Sequence, residues 1–78
     1  MDWRWTKHIL MQLKERQIQK DLVETTLSSP DKIIEGKKNR VIYQKFISGK
    51  LLRVITEGDT LITVYQTDKI KKYHEGGD

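Results

Sequence analysis

Apolar residues recur at helical spacing in the first part of the chain and at strand spacing after Pro30. In WTKHILMQLKER, residues 5–16, Ile9, Leu10 and Leu13 fall at i, i+1 and i+4 and make one apolar stripe. Thr6 stands where a side-chain cap belongs, and Lys14 and Arg16 suit the negative end of a helix dipole. The spacing predicts a helix over residues 6–16. KDLVETTLS predicts a second over residues 20–28, with Leu22, Val23 and Leu27 on one face. The short link around Gln17–Gln19 makes the two a hairpin or a bent pair. Ser28, Ser29 and Pro30 end the unit, because a residue before proline avoids the helical region.

Beyond Pro30 the period falls to two. Residues 32–35 read as a short edge strand, and residues 40–47 (RVIYQKFI), rich in β-branched and aromatic side chains, as a full one. Ser48-Gly49 reads as a two-residue hairpin turn, residues 50–56 as the return strand, Glu57-Gly58-Asp59 as a three-residue turn and residues 60–67 as the last strand. The chain therefore predicts a single α+β domain over residues 1–78, two helices on one face of a three- or four-stranded antiparallel sheet, with a basic tail over residues 68–78.

These turns set a register and hence two faces. A two-residue turn at Gly58-Asp59 would instead flip the last strand, and the three-residue turn is favoured because it puts Ile62 and Val64 in the core. One face carries Val41, Tyr43, Ile47, Leu52, Val54, Ile62 and Val64, a surface on which the helices can pack. The other carries Ile42, Gln44, Phe46, Leu51, Arg53, Ile55, Leu61, Thr63, Tyr65 and Thr67. In that register Gln44 and Thr63 flank Arg53, and Tyr65 lies next to them.

Composition narrows the partners. The chain has 78 residues, no cysteine and a net charge of +4, so disulfides and thiolate metal sites are excluded and a reducing, cytoplasmic setting is expected. A chain this short buries only about three-fifths of its unfolded surface. No apolar run approaches the roughly 20 residues that span a bilayer, and the first residues lack the apolar stretch of a signal peptide, so no membrane partner is expected. The positive balance favours anionic partners, nucleic acid among them.

Three groups carry candidate chemistry. The Gln44, Arg53, Thr63 and Tyr65 face reads either as solvated sheet or as an RNA-facing surface, with arginine for phosphate and aromatic rings for bases. His8 reads as a surface histidine or as a general acid or base, and Arg16, eight residues on, lies 80° around the same helix. Lys69, Lys71 and Lys72, together with Lys37, Lys38 and Arg40, read as phosphate contacts or as solubilising charge. Two widely separated histidines give no metal-ligand spacing, so no metal or other cofactor is expected. Trp3 and Trp5 read as anchors that pin the N-terminus to the core or, for one of them, as an exposed interaction residue.

The segments KHILMQLKERQI, SSPDKI, YQKFISGKLLRVI and ITVYQTDKIKKY resemble a prokaryotic and phage family of small domains of unknown function, grouped with RelE-like toxins in the superfamily of barnase, EndoU, colicin and RelE ribonuclease folds. The resemblance covers Thr6 to Tyr73. It implies a toxin-type endoribonuclease that cleaves RNA without metal by attack of the 2′-OH on the adjacent phosphate, held in check by an antitoxin. It matches His8 and Arg16 to the family's helix-1 histidine and arginine, Arg53 to its strand arginine, and Thr63, Tyr65 and Thr67 to its last strand. Chemistry then assigns His8 as general acid or base, Arg53 to transition-state charge and Tyr65 or Thr67 to orienting the phosphate or leaving group. Arg16, Thr63, Gln44 and the tail lysines join the RNA contacts. The short turn at Glu57–Asp59 departs from the family, whose members often carry more residues there. The alternative is a non-enzymatic RNA- or protein-binding module using the same face.

Overall fold

A computed structural model describes residues 2–68. Two helices, α1 (Lys7–Glu15) and α2 (Lys20–Ser28), precede four strands, β1 (Lys32–Glu35), β2 (Arg40–Ile47), β3 (Lys50–Glu57) and β4 (Thr60–Thr67). The strands form one antiparallel meander in chain order, an α+β fold with the helices N-terminal to the sheet. Lys69, Lys71 and Lys72 lie outside the described residues.

Local chemistry sets the helix limits. The Thr6 hydroxyl accepts from the Ile9 amide at 3.1 Å and caps α1. Gln17, at φ 55°, turns the chain out of α1 and into α2. The helices supply Ile9, Leu13, Ile18, Val23 and Leu27 to a core completed by Leu52, Val54, Leu61 and Val64. Leu10 departs from the expected stripe: it points outward and is 45 % exposed. Its neighbours Ile9 and Leu13 already fill the space above the sheet.

The β2–β3 register is the one the turn chemistry predicts, with Phe46 opposite Leu51, Gln44 opposite Arg53 and Tyr43 opposite Val54. Ser48 and Gly49 both take positive φ, 52° and 79°, the twist that suits a right-handed ribbon. The β3–β4 register differs from the expected one. The turn has two residues, with Glu57 opposite Thr60 and Gly58 carrying the positive φ of 61°. A bulge then leaves Ile62 without a partner, so that Thr56 faces Leu61 but Ile55 faces Thr63.

The reason for the bulge is parity. Leu61 and Val64 are three residues apart, so a regular strand would send them to opposite faces. The extra residue lets both face the helices, at 1 % and 0 % exposure. A regular strand would bury Ile62 and Val64; the bulge buries Leu61 and Val64 and keeps Ile62 half-buried. The apolar surface gained from Leu61, at about 25 cal/mol per Å², is set against about 1 kcal/mol for an interrupted ladder hydrogen bond. Burial wins. Ile62, expected in the core, is half-buried in the bulge, and Leu61, expected on the far face, is in the core. The same shift puts Tyr65 instead of Thr63 opposite Arg53.

The outer edge of β4 is closed. The Arg4 amide donates to the Asp59 carbonyl at 2.7 Å, and the Leu61 amide donates to the Arg4 carbonyl at 3.2 Å, a parallel bridge to Thr60. Further along the edge, α1 supplies side-chain partners to Val64. Trp3 and Trp5 are half-buried against the core, as expected of anchors, with Trp3 edge-on to Tyr43 at 5.6 Å. No helix among the described residues is long and apolar enough to cross a membrane.

Candidate functional site

The face of the sheet turned away from the helices has a polar centre. Arg53 lies in β3, an inner strand, between Gln44 of β2 and Tyr65 of β4. This is the row expected from the hairpin register, with Tyr65 in the place given to Thr63. It is not solvated: Gln44 is 0 % and Arg53 2 % exposed, and beside them Leu51 is 0 % exposed. The Arg53 Nη1 donates to the Tyr65 hydroxyl at 2.8 Å, and the guanidinium carbon lies 5.8 Å from the Tyr65 ring centre. Among the described residues, neither Oε1 nor Nε2 of Gln44 has a hydrogen-bond partner. A buried amide in that state costs the full desolvation of its polar atoms, about 1–3 kcal/mol each.

Thr63 and Thr67 flank Tyr65 on β4, opposite Ile55 and Leu51. Thr67 is half-buried. Thr63 belongs to a second cluster, centred on Gln12. The Gln12 Oε1 accepts from the Val64 amide at 3.0 Å, from the Thr63 hydroxyl at 2.8 Å and from Arg16 Nη1 at 3.2 Å. Three donors fix the amide orientation, so Nε2 faces His8 Nε2 at 2.9 Å. The amide can only donate there, so His8 Nε2 accepts and the imidazole carries its proton on Nδ1. Arg16 also donates to the Val64 carbonyl at 2.6 Å. A helix-end charge is thus a clamp on the edge of β4.

The structure therefore gathers the sequence candidates in two groups: His8, Arg16 and Thr63 around Gln12, and Gln44, Arg53 and Tyr65 in the central row. The groups adjoin on β4, where Thr63 and Tyr65 share a face. Among the described residues no hydrogen bond joins one group to the other. Sequence reasoning missed Gln12. Its signal was position: Ile9, Gln12, Leu13 and Arg16 follow i, i+3, i+4 and i+7, so a polar side chain stands inside the apolar stripe.

At one end of the central row the same face opens into a cleft of about 530 Å³. Ile42 and Ile55 line it, with Lys37, Lys38 and Arg40 beside them. Lys38 and Asn39 take positive φ, 57° and 65°, in the loop that carries these charges. Arg40 pairs with Glu57 at 3.2 Å across the neighbouring strand. Among the described residues no three His, Asp or Glu side chains converge to hold a metal.

The model of a family described as a domain of unknown function, DUF4258, matches residues 5–66, from before α1 to the penultimate residue of β4. No curated protein and no solved structure matches the chain.

Proposed function

The chain belongs to the DUF4258 family of domains of unknown function, and from that premise we propose that it is a RelE-like endoribonuclease acting on RNA through the open face of its sheet. The observation that carries the reading is the Gln44–Arg53–Tyr65 row, with Gln44 and Arg53 buried and Tyr65 half-buried. An arginine held in low-dielectric surroundings stabilises developing phosphate charge far better than one in water. Tyr65, oriented by Arg53, offers its O–H to a phosphate oxygen or to the departing 5′ oxygen. Ile42 and Ile55 give an apolar seat for a base, and Lys37 and Lys38 give phosphate contacts beside it. In the reaction the 2′ oxygen bonds to phosphorus, the bond to the 5′ oxygen breaks, and a 2′,3′-cyclic phosphate remains. His8 takes or returns the proton from the rim of this face, and Thr67 and the tail residues Lys69, Lys71 and Lys72 extend the RNA path. An antitoxin protein that restrains the activity is part of the same reading, as is a cytoplasmic setting.

A second reading, RNA binding without cleavage, has one observation in its favour. His8 Nε2 is engaged by Gln12 and makes no described hydrogen bond to the central row. Incubating purified protein with total RNA, with and without chelator, separates the two. Chelator-resistant products ending in 2′,3′-cyclic phosphate support the nuclease. RNA retained intact but bound, with affinity that falls steeply as salt rises, supports the binding module. Neither binding nor cleavage removes both.

A further inference from the structure

On the helix side of the sheet, behind the Gln44–Arg53–Tyr65 row, Trp3, Trp5 and Tyr43 line a cleft of about 580 Å³. Tyr43 pairs with Val54, whose side chain is in the helix-covered core, so the cleft and the basic face lie on opposite sides of one sheet. Trp3 and Tyr43 meet at 81°, giving two aromatic walls nearly at right angles. The charged side chains that line the cleft are Asp2 and Glu24, both acidic in a chain of net charge +4. Neither is in an ion pair among the described residues. Aromatic faces carry negative potential and attract cations, most strongly when the cation is an ammonium or a guanidinium. A cation is already seated at one wall: the Lys20 ammonium lies 4.6 Å from the centre of the Trp5 ring. Lys20 is one turn before Glu24 on α2 and contacts the ring, with no ion pair to that carboxylate.

We propose that this cleft accepts a cationic side chain, an arginine or a lysine, presented by a partner protein. The rings take the cation's face, and Asp2 and Glu24 neutralise its charge. The occupant is a protein side chain because the seat on Trp5 is already held by one, the chain's own lysine, which the incoming cation displaces. The inference is independent of the ribonuclease reading, since the two sites occupy opposite faces of the sheet.

The chain contains two tryptophans and both line the cleft, so intrinsic fluorescence reports on it directly. The probes are a capped Gly-Arg-Gly peptide and its norleucine counterpart, which keeps the aliphatic stem and lacks the charge. The arginine peptide is expected to change the emission saturably, and the norleucine peptide to bind at least about tenfold more weakly. Asp2→Asn with Glu24→Gln should raise the Kd about tenfold. Lys20→Met should lower it about threefold, because the competing ammonium is gone. All three positions are at the surface, and far-UV circular dichroism checks that the variants stay folded. Equal response to both peptides, or none to either, overturns the proposal. So does a carboxylate-free variant that binds as the parent does, or a Lys20→Met variant that binds no better.

Discussion

Gln12 and Gln44 are both buried, at 7 % and 0 % exposure, and they use their amides in opposite ways. Gln12 joins α1 to the edge of β4: its oxygen accepts three hydrogen bonds and its nitrogen a fourth contact, to His8. Gln44 sits at the centre of the open face with neither amide atom bonded. The first is a structural clamp, because every bond it makes replaces one that water would otherwise supply. The second is buried at a cost in stability that no hydrogen bond among the described residues offsets. The lesson is that two buried amides of one residue type contribute oppositely to stability, according to whether their atoms are satisfied.

Four experiments test this contrast. Gln12→Ala should destabilise the fold by about 2–4 kcal/mol, since it strands the Val64 amide and loosens Arg16. Urea denaturation measures this, and a loss under about 1 kcal/mol would remove Gln12 from the role of clamp. Arg53→Lys keeps the charge and loses the fork. Arg53→Ala is the poorer probe, because removing a side chain that is 2 % exposed would leave a cavity and confound folding with activity. The lysine variant should lose about a hundredfold in RNA cleavage or growth toxicity, while its denaturation curve shows it folded. Undiminished activity would take the central row out of the site. Gln44→Leu should raise stability by about 1–2 kcal/mol while weakening RNA binding. A lower melting temperature would show the amide to be structural after all and would erase the difference between the two glutamines. Ser48→Asn, in the hairpin turn, should stabilise by about 0.5 kcal/mol through better tolerance of positive φ. It serves as the control, with RNA binding unchanged.

The elements were legible in the sequence to within one or two residues, because helix caps, proline and turn glycines mark them locally. The β2–β3 register was legible for the same reason: Ser48-Gly49 leaves little choice of pairing. The β3–β4 register was not, because it depends on a competition that no local signal reveals. Leu61 and Val64 both gain by facing the helices, and the strand accommodates both by spending Ile62 in a bulge. The placement of Gln44 beside Arg53 followed from the hairpin; their burial did not, since pairing fixes which face a side chain shares and not how much of it solvent reaches. Gln12 was not singled out from the sequence. Its partners lie more than fifty residues away, and the clue was its place in the stripe rather than its chemistry.

The seal on β4 also sets an order of events during synthesis. Arg4 bridges Thr60, and Gln12 bonds to Thr63 and Val64, so the backbone bridge of the N-terminal segment and the cross-sheet bonds of Gln12 are made to the last strand. Such contacts close long loops, and loop closure must precede the gain that contacts bring. A nascent chain still missing β4 lacks the Arg4 bridge, has no Val64 in its core and has Arg53 without Tyr65. The β2–β3 hairpin can already set Gln44 beside Arg53, but the row is complete only when β4 pairs.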